Sequence, residues 1–147
     1  MVVRRERVVP AAPAEVWRIV SDPTRLTAWW PGVSRVEEAS REAWTTVLVS
    51  KTGKSVRADY SLVEAEEPAR VMWRHEVEAS PFERLLREST TEIKLAPDAG
   101  GGTRVALRLE QRPRGWARFS PLQMRAAARR QVDAALDGLA GLLGDDR

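Results

Sequence analysis

Few side chains in this sequence can do acid–base or nucleophilic chemistry, and that scarcity sets the first expectation. The 147 residues include no cysteine, one histidine and one tyrosine. Without cysteine there are no disulfides, thiolate metal sites or thiol nucleophiles, and a single histidine rules out the usual multi-histidine zinc sites. The groups left that can move a proton near neutral pH or polarise a carbonyl are His75 and Tyr60. No Gly-x-Gly-x-x-Gly, Walker loop, Gly-x-Ser-x-Gly or His-Glu-x-x-His occurs, and the glycines of Asp98–Gly102 read as a hairpin turn with no following helix to hold a phosphate. The expectation is no cofactor and no metal. For His75 and Tyr60, a catalytic role competes with a plainer one: a histidine without an evident orienting carboxylate and a phenol with a satisfied hydroxyl can simply line the interior.

Strand alternation decides what surrounds these two groups, because residues i, i+2 and i+4 share a face. In the 70–79 segment, Val71, Trp73, His75 and Val77 form the apolar set against Met72, Arg74, Glu76 and Glu78, so the first set faces inward. Val56, Ala58, Tyr60 and Leu62 face inward by the same test, as do Ser89, Thr91, Ile93 and Leu95, and then Thr103, Val105, Leu107 and Leu109. Trp44, Thr46 and Leu48 join them, although Thr45, Val47 and Val49 are equally apolar. An apolar wall with sparse hydroxyls suits a small-molecule site. Trp44, Tyr60, Trp73, His75, Ser89, Thr91 and Leu107 are the candidate contacts from the sheet side, Trp30 the one from the end of a short helix, and Met124, Ala128 and Gln131 those from the last helix. Trp17 and Trp29 read as core. Arg87 has inward parity near a strand end, where it either meets an anionic head group at the mouth or turns to solvent.

The elements that carry these residues follow from periodicity and punctuation. Met1 to Val9 reads as a strand stopped by Pro10; Pro13 opens a short helix with Val16, Ile19 and Val20 on one face; Asp22-Pro23 opens a second, with Leu26, Trp29 and Trp30, ended by Pro31-Gly32. Six strands follow, near 33–39, 43–51, 55–66, 70–79, 86–96 and 103–112, joined by turns such as Thr52-Gly53-Lys54 and Glu67-Pro68-Ala69. Ser120-Pro121 then starts a helix of about 24 residues, ~36 Å long, with Met124, Ala128, Val132, Ala135, Leu136, Leu139 and Leu143 at helical spacing up to Gly144. The fold class is α+β, an antiparallel sheet with helices on one side. No linker or repeat divides residues 1–147, so one domain is expected.

The opening Ala11-Ala12-Pro13-Ala14-Glu15-Val16-Trp17, then Asp22-Pro23 and Leu26-x-x-Trp29-Trp30-Pro31-Gly32-Val33, resembles the start of the SRPBCC/START-like superfamily, within it the polyketide cyclase/dehydrase-like group. The element order and the Gln131-to-Leu143 helix extend the likeness over nearly the whole chain. Chaperone-activator relatives share this opening but usually carry a Gly-Gly-aromatic segment on the second or third strand, which Ser40–Val49 lacks. The resemblance implies a helix-grip fold: a seven-stranded curved antiparallel sheet, two short helices after strand 1, and a long C-terminal helix across the sheet, enclosing a cavity. Lipid carriers, hormone receptors, aromatic cyclases and ribosome-associated proteins share that fold.

Three functions fit these features. The first is binding or carriage of a small hydrophobic or aromatic ligand, lipid- or polyketide-like. The second is an aromatic polyketide cyclase/dehydrase-type enzyme in which cavity shape folds a reactive chain and Tyr60 or His75 transfers protons. The third is an RNA- or ribosome-binding module. The chain has 24 basic and 21 acidic residues. Arg104, Arg108 and Arg112 share an outward strand face, Arg125 and Arg129 one helix face, with Trp116 and Phe119 between. Interspersed Glu37, Glu38, Glu64, Glu66, Glu67, Glu76 and Glu78 make a solvated charged surface the simpler meaning, and nucleic acid is not the expected partner. Lacking a long apolar run and the apolar core of a signal peptide, the protein is expected to be cytoplasmic, as a monomer or homodimer.

Overall fold

The computed structural model describes residues 1–114 and 120–144. Strand β1 (Val2–Val9) leads into α1 (Pro13–Val20), a 3-10 turn (Pro23–Arg25) and α2 (Leu26–Trp29); β2 (Val33–Glu37), β3 (Ala43–Val49), β4 (Ser55–Glu66), β5 (Arg70–His75), β6 (Leu86–Pro97) and β7 (Thr103–Pro113) follow, and α3 (Pro121–Leu142) closes the fold. The expected α+β order is thus observed. All strands belong to one antiparallel sheet ordered β1-β7-β6-β5-β4-β3-β2. Because β1 pairs with β7 at one edge and β2 lies at the other, the segment holding α1 and α2 must cross the sheet. Among the described residues, no helix is long and apolar enough to cross a membrane.

Local chemistry explains the helix boundaries. Asp22 caps the 3-10 turn by accepting from the Thr24 backbone N–H at 3.0 Å and its hydroxyl at 2.7 Å. Gly32, at φ 78°, then turns the chain into β2. At the start of α3, the Ser120 hydroxyl accepts from Gln123 N–H at 3.1 Å and the Gln123 side chain accepts from Ser120 N–H at 3.2 Å, a reciprocal capping box. The helix then buries Ala128, Val132, Ala135, Leu136, Leu139 and Ala140. Arg5–Asp133 and Arg7–Asp137 ion pairs join it to β1. Gly138 lets α3 approach α2 closely: a Cβ there would lie 2.3 Å from the Trp29 carbonyl oxygen.

Four boundaries differ from the sequence expectation. β2 stops at Glu37, where Glu38 adopts φ 52°, and β3 stops at Val49. β5 ends at His75 because its ladder to β6 finishes at the Arg74–Thr90 pair; the chain turns away through Ala79 at φ 60°, although Val77 stays buried. α3 has 22 residues and ends at Leu142, with Leu143, the last residue of the apolar pattern, as its C-cap. A register shift between Leu86 and Glu88 puts a bulge at the start of β6. The core forms where α1, α2 and α3 meet the inner sheet face, and it includes Trp17, Trp29, Trp44 and Trp73.

Candidate functional site

Beside that core the sheet and helices enclose a cavity of about 210 Å³. Register explains its wall. Trp44 lies opposite Tyr60, Tyr60 opposite His75, Leu62 opposite Trp73 and Trp73 opposite Thr91, so inward residues of four adjacent strands fall side by side. The rings form an unbroken chain. Trp30 meets Trp73 edge-on at 6.0 Å between centroids, Trp73 meets Trp44 at 5.9 Å, Trp44 stacks on Tyr60 at 6.0 Å, Tyr60 stacks on His75 at 4.8 Å, and His75 meets Phe82 edge-on at 4.8 Å. Such offset and edge contacts hold aromatic side chains in fixed orientations.

The electrostatics of the wall are those of uncharged groups. Burial pushes the Tyr60 phenol up to about 12, with a hydrogen bond from Thr46 acting in the opposite direction. Tyr60 is half-buried, and its ring borders the cavity. Burial also holds His75 below the usual histidine range, against the pull of Asp59 and Glu76. Neither carboxylate bonds to the imidazole: Asp59 accepts from the Thr45 hydroxyl at 2.5 Å, and Glu76 from the Ser61 hydroxyl. His75 is 6% exposed, and its Nε2, like Trp44 Nε1, is buried without a hydrogen-bond partner among the described residues. Buried polar atoms are rarely left so in native proteins. Among the described residues, no group of three or more His, Cys, Asp or Glu is placed to hold a metal.

Residues 1–144 match the model of the family described as polyketide cyclase / dehydrase and lipid transport. The chain belongs to this family. Among solved structures it resembles a START superfamily protein from Mycobacterium smegmatis, at 13% identity over 98% of this chain and 97% of that one, with a TM-score of 0.81. A protein from Chromobacterium violaceum matches at 21% identity, 97% and 96% coverage and a TM-score of 0.76. The di-domain ARO/CYC StfQ from the steffimycin biosynthetic pathway matches at 16% identity and a TM-score of 0.75, with 99% of this chain covering 51% of that one. At these identities the likeness is one of fold. No curated protein matches the sequence.

In this polyketide cyclase/dehydrase and lipid transport family member, most of the sequence-level candidates converge. Trp30, Trp44, Tyr60, Trp73, His75, Ser89, Thr91 and Gln131 all border the cavity. Met124 and Ala128 instead border an adjacent hollow of about 190 Å³ that shares Leu86, Gln111 and Gln131 with the first. Two candidates fall elsewhere. Leu107 pairs with Ile93 in a filled stretch of sheet, both about 1% exposed, so it is core. Arg87 is exposed, because the bulge at Leu86–Glu88 breaks the parity that aimed it inward and brings Leu86 to the cavity instead. Leu26, Val33, Phe82, Leu86 and Gln111 were not singled out yet border the cavity. Extending the β7 alternation two residues past Leu109 would have reached Gln111, whereas Phe82 lies in an aperiodic turn.

The outward arginines of β7 are paired: Arg104 with Glu6 and Asp98, Arg108 with Glu110, Arg112 with Glu88. That is the pattern of a solvated charged face. Arg125 and Arg129 are exposed on α3, and Trp116 and Phe119 lie outside the described residues.

Proposed function

We propose that the protein binds or carries one small, largely apolar aromatic molecule in the cavity. The observation that carries this reading is the ring chain from Trp30 to Phe82 along a cavity whose His75 Nε2 has no partner among the described residues. Family membership supports it, since lipid transport is one of the activities in the family's description. Titration with 2-naphthol, followed by tryptophan emission, should show saturable quenching near 1:1. Trp30→Leu should weaken binding roughly tenfold, as expected when one stacking ring is lost. Quenching that stays linear to the solubility limit would exclude the reading.

A second reading is enzymatic, and the stacked Tyr60–His75 pair favours it. An imidazole held neutral can accept a proton and a protonated phenol can donate one, so the pair suits enolisation or dehydration of a polyketide-like chain. Substitution separates the two. In an enzyme, His75→Ala and Tyr60→Phe abolish turnover of a cognate substrate, while in a carrier they change affinity only.

A further inference from the structure

The charge of the cavity wall narrows the ligand further. None of the described residues that line it is Arg, Lys, Asp or Glu. Its polar groups are the hydroxyls of Thr46, Ser89 and Thr91, the amides of Gln111 and Gln131, the indole N–H groups of Trp30, Trp44 and Trp73, and the Tyr60–His75 pair, none of them a cation. Arg87, the basic residue with inward parity, is on the surface. A carboxylate placed here would lose its hydration and meet no cation, a penalty far larger than the gain from any one hydrogen bond.

His75 indicates what the ligand carries instead. A neutral imidazole has one donor and one acceptor nitrogen, and the buried Nε2 has no hydrogen-bond partner among the described residues. A hydroxyl can complete it in either tautomer, because it both donates and accepts, whereas a carboxylate only accepts. Size sets the rest. A cavity of ~150 Å³ holds one benzene, so about 210 Å³ accommodates one or two fused rings.

We propose that the cavity selects an un-ionised one- or two-ring aromatic hydroxyl compound, bound with its hydroxyl at His75, and rejects the matching carboxylate. This rests on the ligand-binding reading above. The test is calorimetric titration of the full chain near neutral pH with 2-naphthol, 2-naphthamide and 2-naphthoate, which share one ring system and differ in charge. Both neutral probes should bind, and the anion should bind on the order of a hundredfold more weakly or not at all. In the His75→Phe variant, checked for an unchanged circular dichroism spectrum, the preference for 2-naphthol over naphthalene should fall about tenfold, the loss of one buried hydrogen bond. If that variant does not fold, the three-probe comparison on the unmodified protein decides alone. Equal affinity for all three probes overturns the selectivity while leaving ligand binding intact. No saturable binding of any probe removes both.

Discussion

His75 is held neutral by burial, and that has a thermodynamic consequence that can be measured apart from any ligand. Its folded-state value lies below the ordinary 6.5, chiefly through desolvation. Between the two values the unfolded chain binds the extra proton, so stability is complete above about pH 6.5 and falls as pH drops through that window. Glu6, Glu37 and Glu64, held below 4.5 by hydrogen bonds to arginines, act in a lower range. Urea melts between about pH 7.5 and pH 5 should therefore show falling stability, and His75→Phe should flatten the curve. An identical slope in the variant would show that other groups carry the effect. At this scale much was legible in the sequence: alternation placed Tyr60, Trp73, His75, Ser89 and Thr91 on one face, and all five border the cavity, as does Trp44, whose strand is equally apolar on both faces. It failed at Arg87 because a bulge inserts one residue into the count, and nothing in the side-chain pattern there announces it.

For the elements, α3 and its glycines give a contrast of sign. Gly138 and Gly141 both lie inside α3, where a glycine costs up to ~1 kcal/mol relative to alanine. The structure separates them: a Cβ at Gly138 would strike the Trp29 carbonyl oxygen at 2.3 Å, while one at Gly141 meets nothing within 4 Å. Gly141→Ala should raise unfolding free energy by roughly 0.5 kcal/mol and Gly138→Ala should lower it by about 1–3 kcal/mol, as overpacking does. Denaturant midpoints of the two variants check this, and a shift in the same direction for both would contradict the close α2–α3 approach. Ser120→Ala, which removes one half of the capping box, should cost about 1 kcal/mol. Helix starts were readable because caps and prolines are local chemistry. The end of β5 and the approach at Gly138 were not, since each is set by a neighbour distant in sequence.

Across the whole molecule, the sheet order explains why a cavity forms beside a filled core. The chain between β1 and β2 carries α1 and α2 across the sheet, and α3 packs against β1, β7 and α2. α1 packs against β6, and the inner face around Trp44, Tyr60, Trp73 and His75 borders the cavity together with Trp30 and Phe82. The family resemblance made this architecture legible before the structure. The neutrality of the wall was not legible, because it depended on where Arg87 and the carboxylates beside His75 point. Ser89 lines the cavity from β6 and is buried, so Ser89→Phe would place a ring where the ligand is expected. The decisive measurement is calorimetric titration of 2-naphthol into the unmodified protein and into Ser89→Phe, each first shown to be folded. Binding near 1:1 in the first, weakened about a hundredfold or lost in the second, is the predicted result. Equal affinity in both would place the ligand elsewhere and contradict the cavity as the binding site.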